Sequence, residues 1–391
     1  MAGTREFDIV VYGATGFTGR LVAEYLSKQY ADGSVNWAMA GRSAEKLASV
    51  RDLIGAPADT PLIAADAADP EALKKMVEST KVVITTVGPY LLYGEPLVAA
   101  CAAAGTDYVD LCGEVPFMRK MIDAHGEAAK KSGARIVFSC GFDSIPFDMG
   151  VYFLQEQAKA KFGKPAPRVK GRVRAMNGTL SGGTAASGRA TFELAQADPV
   201  MMGHLFNPYS LAPGYEGIEQ PDGMKPYEDP AMGMWVAPFF MAVINTKNIH
   251  RSNFLMDNAY GTDFQYDEMM LAGPGDTGKK TAEVIAATDI TGGDDAPKPG
   301  EGPSKEEREA GNYDVLFVGE MSDGASIKVG VTGDKDPGYG STSKMISESA
   351  ICLIQNVADL PGGIYTPAPA FGMEIIDRLR ANAGLTFEVE A

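Results

Sequence analysis

Apolar residues run almost unbroken through residues 7–12 (Phe7-Asp8-Ile9-Val10-Val11-Tyr12), and similar runs recur at 35–40, 61–66, 82–87, 108–111 and 135–139. Between them, apolar positions fall at helical spacing over 20–26, 44–53, 95–104 and 115–132. A continuous apolar run reads as a strand covered on both faces, and a 3.6-residue recurrence as an amphipathic helix. Asp69 followed by Pro70 supplies an N-cap and first-turn residue for a further helix. Strands alternating with helices at this pitch specify an α/β fold, a doubly wound parallel sheet.

The pattern changes near residue 150. Residues 168–175 alternate charged with apolar positions, as in a half-buried strand, and 315–320 with 325–331 predict a hairpin around Ser322-Asp323-Gly324. A second, α+β domain built on a mostly antiparallel sheet is expected over 151–339, serving substrate binding and dimerisation, after a nucleotide-binding domain at 1–150. Residues 291–312, rich in Gly, Pro and charge, predict a flexible insertion with no core of its own. The C-terminal stretch 340–391, with a helix at 342–356, is expected to pack back on the first domain.

The chain has 391 residues and a net charge of −16, which repels phosphate-rich surfaces and argues against nucleic acid as a partner. Cys101, Cys112, Cys140 and Cys352 lie far apart and the three histidines are scattered, so no metal site is expected. The first residues lead straight into a strand without a signal-like apolar segment, and a cytoplasmic protein is expected.

The first strand is followed by Gly13, Ala14, Thr15, Gly16, Phe17, Thr18 and Gly19, then by a helix. Strand, glycine turn and helix form a dinucleotide cradle, in which backbone amides approach a pyrophosphate at the positive end of the helix dipole. The spacing is G-x-x-G-x-x-G, not G-x-G-x-x-G. At the second strand's end, where an acidic residue would bind the ribose of NAD, stand Arg42 and Ser43, with Lys46 a turn later. A guanidinium, a hydroxyl and an ammonium suit a 2′-phosphate, so NADPH is expected and NADH disfavoured. Asp66, with Ala67 beside it, either meets the adenine amino group or caps a turn. Thr86, Val87, Gly88 and Pro89 should pass beneath the nicotinamide ribose. Ligands sit at the carboxyl ends of parallel strands, so Cys112, Gly141 and Phe142 should converge on the same crevice.

Hydride transfer also needs a proton donor. Tyr90, Tyr108 and Asp143 stand at or near strand tips, each with a structural alternative: a gap-filling phenol or a helix cap. The Tyr-x-x-x-Lys pair of short-chain dehydrogenases does not occur, Tyr339 and Lys344 being one residue too far apart. Residues 181–187 predict a turn opening a helix at 190–196. Residues 201–256 are rich in Met and aromatics, and fit a core, a dimer interface or an apolar substrate tunnel.

The phrases Gly13–Gly19, Ala40-Gly41-Arg42-Ser43, Val87-Gly88-Pro89-Tyr90, Tyr108-Val109-Asp110-Leu111-Cys112-Gly113-Glu114 and Gly141-Phe142-Asp143-Ser144 together resemble the saccharopine dehydrogenase-like oxidoreductases, particularly the trans-acting enoyl reductases. Similarity extends to His250-Arg251-Ser252-Asn253 and Gly362-Gly363-Ile364-Tyr365. The resemblance implies a Rossmann domain and an NADPH-dependent reductase adding hydride to a polarised C=C bond of a lipid, polyketide or isoprenoid. The expected assembly is a homodimer with peripheral contact to lipid at most. Two other functions stay open: oxidoreduction at a C–N or C–O carbon of an amino or hydroxy acid, and coenzyme binding without turnover.

Overall fold

The computed structural model of the protein describes residues 5–178, 182–288 and 301–391. In the first strand, β1 (Phe7–Tyr12), side chains point alternately to opposite faces, and both faces are buried. Ile9 and Val11 enter one apolar cluster, Val10 and Tyr12 another. The same division holds in β4 (Thr80–Thr85), where Val82 and Ile84 face the first cluster and Val83 the second.

With β2 (Trp37–Gly41), β3 (Leu62–Ala64), β5 (Asp107–Val109), β6 (Arg135–Val137) and β13 (Gly363–Tyr365), these strands form a parallel sheet ordered β13-β6-β5-β4-β1-β2-β3. The helices Pro70–Ser79, Glu95–Ala104 and Val115–Ser132 cover the second cluster. Phe17–Gln29 and Thr342–Gln355 cover the first. The Asp69 carboxylate caps its helix, accepting from the Glu71 and Ala72 amides.

The second sheet runs β14-β12-β11-β7-β10-β9-β8. It contains β7 (Arg168–Asn177), β8 (Tyr227–Asp229), β9 (Met234–Pro238), β10 (Gln265–Gly273), β11 (Asn312–Glu320), β12 (Ser326–Gly333) and β14 (Leu385–Glu390). All neighbours are antiparallel except β7 and β10. Residues 340–391 therefore divide, β13 entering the first sheet and β14 the second.

The structure corrects two expectations. The helix expected at 190–196 spans Gly182–Ala197; Ser181 lies outside the described residues. Within the expected solvated insertion, Ser304 and Glu307 form a reciprocal capping box that starts the helix Lys305–Ala310, and Pro303 is buried. Residues 291–300 of that insertion lie outside the described residues.

Candidate active site

The carboxyl ends of β1 to β6 line the edge of the parallel sheet where a ligand crevice is expected, and its two ends differ. At β1, Gly13 and Ala14 donate their amides to the Ala40 carbonyl, folding the turn against β2. Gly13 has φ +90°, and a Cβ on Gly19 would lie 2.2 Å from the Gly13 oxygen, so both positions require glycine. Thr15 and Gly16 are exposed above this close packing, and Gly16 caps the helix Phe17–Gln29. The first-turn amides have no intrahelical carbonyl to bond and are free for an anion. The turn thus fits a dinucleotide pyrophosphate.

Beyond β2, Arg42 and Lys46 are exposed, and Ser43 caps the next helix, its hydroxyl accepting from the Lys46 amide at 3.3 Å. Asp66 is exposed after β3 and its carboxylate accepts from the Ala68 amide at 2.9 Å, the turn-capping role. Ala67 is half-buried beside it. Arg42 and Asp66 flank Tyr12, whose phenol is pushed up to about 12, mainly by burial and then by the Asp66 charge, with Arg42 opposing. The structure therefore gathers Arg42 and Asp66 at one end.

The tip of β4 touches the glycine turn. Thr86 donates its amide to the Tyr12 carbonyl, and a Cβ on Gly13 would meet Val87 Cγ2 at 2.7 Å. Gly88 is exposed, followed by Pro89 in a cis peptide. Ser187, from the helix Gly182–Ala197, lies 3.3 Å from where a Gly88 Cβ would stand. Its hydroxyl also donates to Glu114, so that helix closes over the β4 tip.

The other end is dry and rich in carboxyls. Glu114 is buried and accepts from the amides of Tyr90 at 2.9 Å and Leu91 at 2.7 Å. Burial raises its pKa against these amides and Ser187. Asp110, fully buried, accepts from Tyr108 Oη and from the amides of Cys112 and Ser139; burial nevertheless pushes it up to about 7.

Two of the three sequence-derived acid candidates serve this packing. Tyr90 is buried, its hydroxyl donating to the Thr85 carbonyl and accepting from the Leu111 amide. Tyr108 is wholly enclosed and its hydroxyl is committed to Asp110 at 2.8 Å. Burial raises both phenols far above their usual range. Neither presents a hydroxyl to the crevice. Cys112 is likewise buried, so only its backbone stands at a strand tip. Phe142 packs edge-on against Tyr313 and Phe147, its amide donating to Thr342 Oγ1.

Asp143 differs from both tyrosines. The residue is half-buried and its carboxylate lies against Gly113, where an added Cβ would stand 2.7 Å from Asp143 Oδ2. Burial pushes its carboxyl up to about 7, with the Asp110 charge adding to the effect against a backbone hydrogen bond. The next residue, Ser144, accepts at Oγ from Asn248 Nδ2 at 2.7 Å. Asn248 belongs to the helix Ala242–Leu255, which also buries Asn245, Lys247, His250 and Arg251. Asn248 escaped the sequence analysis, which placed Ser187 in a turn opening a helix; two asparagines spaced i, i+3, Asn245 and Asn248, were the available signal. Of the methionines in 201–256, Met241 and Met256 pack against the core and Met224 is exposed.

Residues 9–137, which run from the glycine turn through Glu114 and end before Asp143, match the saccharopine dehydrogenase NADP binding domain. The chain is 38% identical to the trans-acting enoyl reductase of Mycobacterium bovis over 410 residues, covering 96% of each. It is 36% identical to that of Mycobacterium ulcerans, again over 96% of each. Among solved structures, apo saccharopine dehydrogenase (L-Glu forming) from Saccharomyces cerevisiae superposes with a TM-score of 0.55 at 13% identity, covering 98% of this chain and 100% of that one. That last likeness is one of fold.

Proposed function

Since the chain belongs to the trans-acting enoyl reductase family of NADP-dependent oxidoreductases, we propose that it reduces the C=C bond of an apolar α,β-unsaturated acyl substrate, with Asp143 as the proton donor. The observation carrying this reading is a half-buried residue at the strand tips, set against Gly113, whose carboxyl is pushed up to about 7 by burial. Such a group is substantially protonated at neutral pH, when an ordinary aspartic acid is not.

In this reading Gly13 to Gly19 cradle the pyrophosphate, while Arg42, Ser43 and Lys46 receive the 2′-phosphate. Thr86 to Pro89 pass under the nicotinamide ribose, and the backbone at Cys112, Gly141 and Phe142 completes the wall. NADPH, when bound, supplies the hydride. Gly113 and the Ser144–Asn248 hydrogen bond position the Asp143 carboxyl, which protonates the carbon next to the acyl carbonyl as negative charge develops there. The buried Tyr90, Tyr108 and Glu114 keep that end of the crevice dry, which strengthens every charge interaction inside it.

Residues 1–150 act as the nucleotide unit and 151–339 as the substrate and dimerisation unit of a cytoplasmic homodimer. The exposed Val200, Phe206 and Met224 provide for peripheral contact with lipid. Among the described residues no helix is long and apolar enough to cross a membrane.

The test is coenzyme oxidation followed with a panel of enoyl thioesters and, in parallel, of imines and keto acids. Turnover confined to the enoyl panel, lost in Asp143→Asn with NADPH affinity intact, supports the reading. Turnover confined to the imine or keto-acid panel refutes it.

A further inference from the structure

Phe17 opens the helix whose amino end is the proposed pyrophosphate site, and side chains in a helix lean back toward its N-terminus. The Phe17 ring therefore borders the phosphate mouth. A separate part of the chain closes on it. A Cβ on Gly302 would lie 2.6 Å from the ring, so only glycine lets the backbone at 302 approach this closely. The guanidinium of Arg308 lies 5.6 Å from the ring centroid, as does that of Arg20. Tyr339 packs edge-on against the same ring at 5.2 Å.

Arg308 is held in place from its own side. Its carbonyl accepts from the Asp336 amide, and its guanidinium donates to the Pro303 carbonyl at 2.6 Å. The Asp336 carboxylate is occupied by the amides of Tyr339 and Gly340. Among the described residues neither Arg308 nor Arg20 has a carboxylate within ion-pair distance, although the Arg308 charge opposes the burial that raises the Asp336 carboxyl. Two guanidinium groups thus bracket one ring at the anion-binding end of a helix, in a chain whose net charge is −16.

We propose that Arg308 belongs to the coenzyme site and pairs with the pyrophosphate, so that the segment carrying it closes over the bound nucleotide. The proposal rests on the coenzyme lying at the glycine turn. It differs from the role of Arg42 in a measurable way. The pyrophosphate is common to NADPH and NADH, whereas the 2′-phosphate is not.

The experiment is calorimetric titration of both coenzymes into the full-length protein, comparing wild type with Arg308→Met, Arg308→Lys and Arg42→Ala, each checked for an unchanged melting temperature. Arg308→Met should raise Kd by about tenfold for NADPH and NADH alike, and Arg308→Lys by less. Arg42→Ala should weaken NADPH selectively. Gly302→Val, which pushes the segment off the ring, should reproduce the Arg308→Met result without removing a charge. The proposal is overturned if Arg308→Met leaves both affinities within twofold of wild type, or weakens NADPH alone. Failure of the wild type to bind either coenzyme would instead refute the placement of the coenzyme itself.

Discussion

The two ends of the crevice solve opposite electrostatic problems. At the tips of β2 and β3, Arg42, Lys46 and Asp66 are exposed. Charges there remain hydrated until a phosphate arrives, which costs the fold little. At the tips of β5 and β6, Asp110 is wholly enclosed, while Asp143 keeps only partial exposure and Glu114 almost none. Ionising a carboxyl there means charging a desolvated group, so burial raises the pKa of all three, Asp110 and Asp143 to about 7. In the proposed binding mode a dinucleotide spans both environments, its phosphates at the wet end and its reacting ring at the dry one. The contrast teaches that specificity and catalysis are separable here: one end can be altered without the other.

Breaking the dry end should have the largest effect. Asp143→Asn is expected to lower kcat by about 10²- to 10⁴-fold while leaving the Kd for NADPH unchanged, measured by steady-state kinetics and titration. In the wild type, kcat should fall as pH rises through about 7, because only the protonated carboxyl donates. Breaking the wet end comes next. Arg42→Ala should raise the NADPH Kd roughly 10- to 100-fold, leave NADH near its starting value and change kcat little.

A third comparison concerns stability. Asp110, Asp143 and Asp148 all have folded-state pKa values raised to about 7, above the ordinary value of roughly 3.9 for an unfolded chain. The stabilising effect of holding their protons is fully present below pH 4 and is lost as pH rises through 7. Melting temperature should therefore decline from pH 5 to pH 8. Asp148→Asn should flatten that decline without harming the fold. Asp148 Oδ2 accepts from Ser252 and the Ala368 amide, and an amide oxygen does the same. The smallest effect belongs to the buried phenols. Tyr108→Phe leaves Asp110 one donor short and should cost about 1–2 kcal/mol by denaturant unfolding, with kcat within a few-fold of wild type.

The parallel sheet was readable because its evidence is local. An apolar run, a glycine turn and a helical recurrence occupy neighbouring positions, and Arg42 falls at a fixed offset from them. Asp143 and the tyrosines were not separable by the same means. Whether Tyr90 faces the crevice depends on the Leu111 amide and the Thr85 carbonyl, partners that no local pattern reveals. The support beside Asp143 is more remote still, Asn248 reaching the neighbouring Ser144 from more than a hundred residues away. One local signal was present and passed over. Ser304 followed three positions later by Glu307 is a capping box in sequence, and it marks an ordered helix inside a stretch whose composition suggests none.

The strand β13 has a consequence for how the chain comes together. Its three residues, Gly363–Tyr365, shield the outer hydrogen-bonding edge of β6. A fragment ending at residue 150 would leave that edge open, ready to recruit strands from neighbouring molecules. During synthesis the nucleotide half must wait, its border bare, until residues 363–365 have been made. A strand more than two hundred residues further along the chain thus seals the edge of β6.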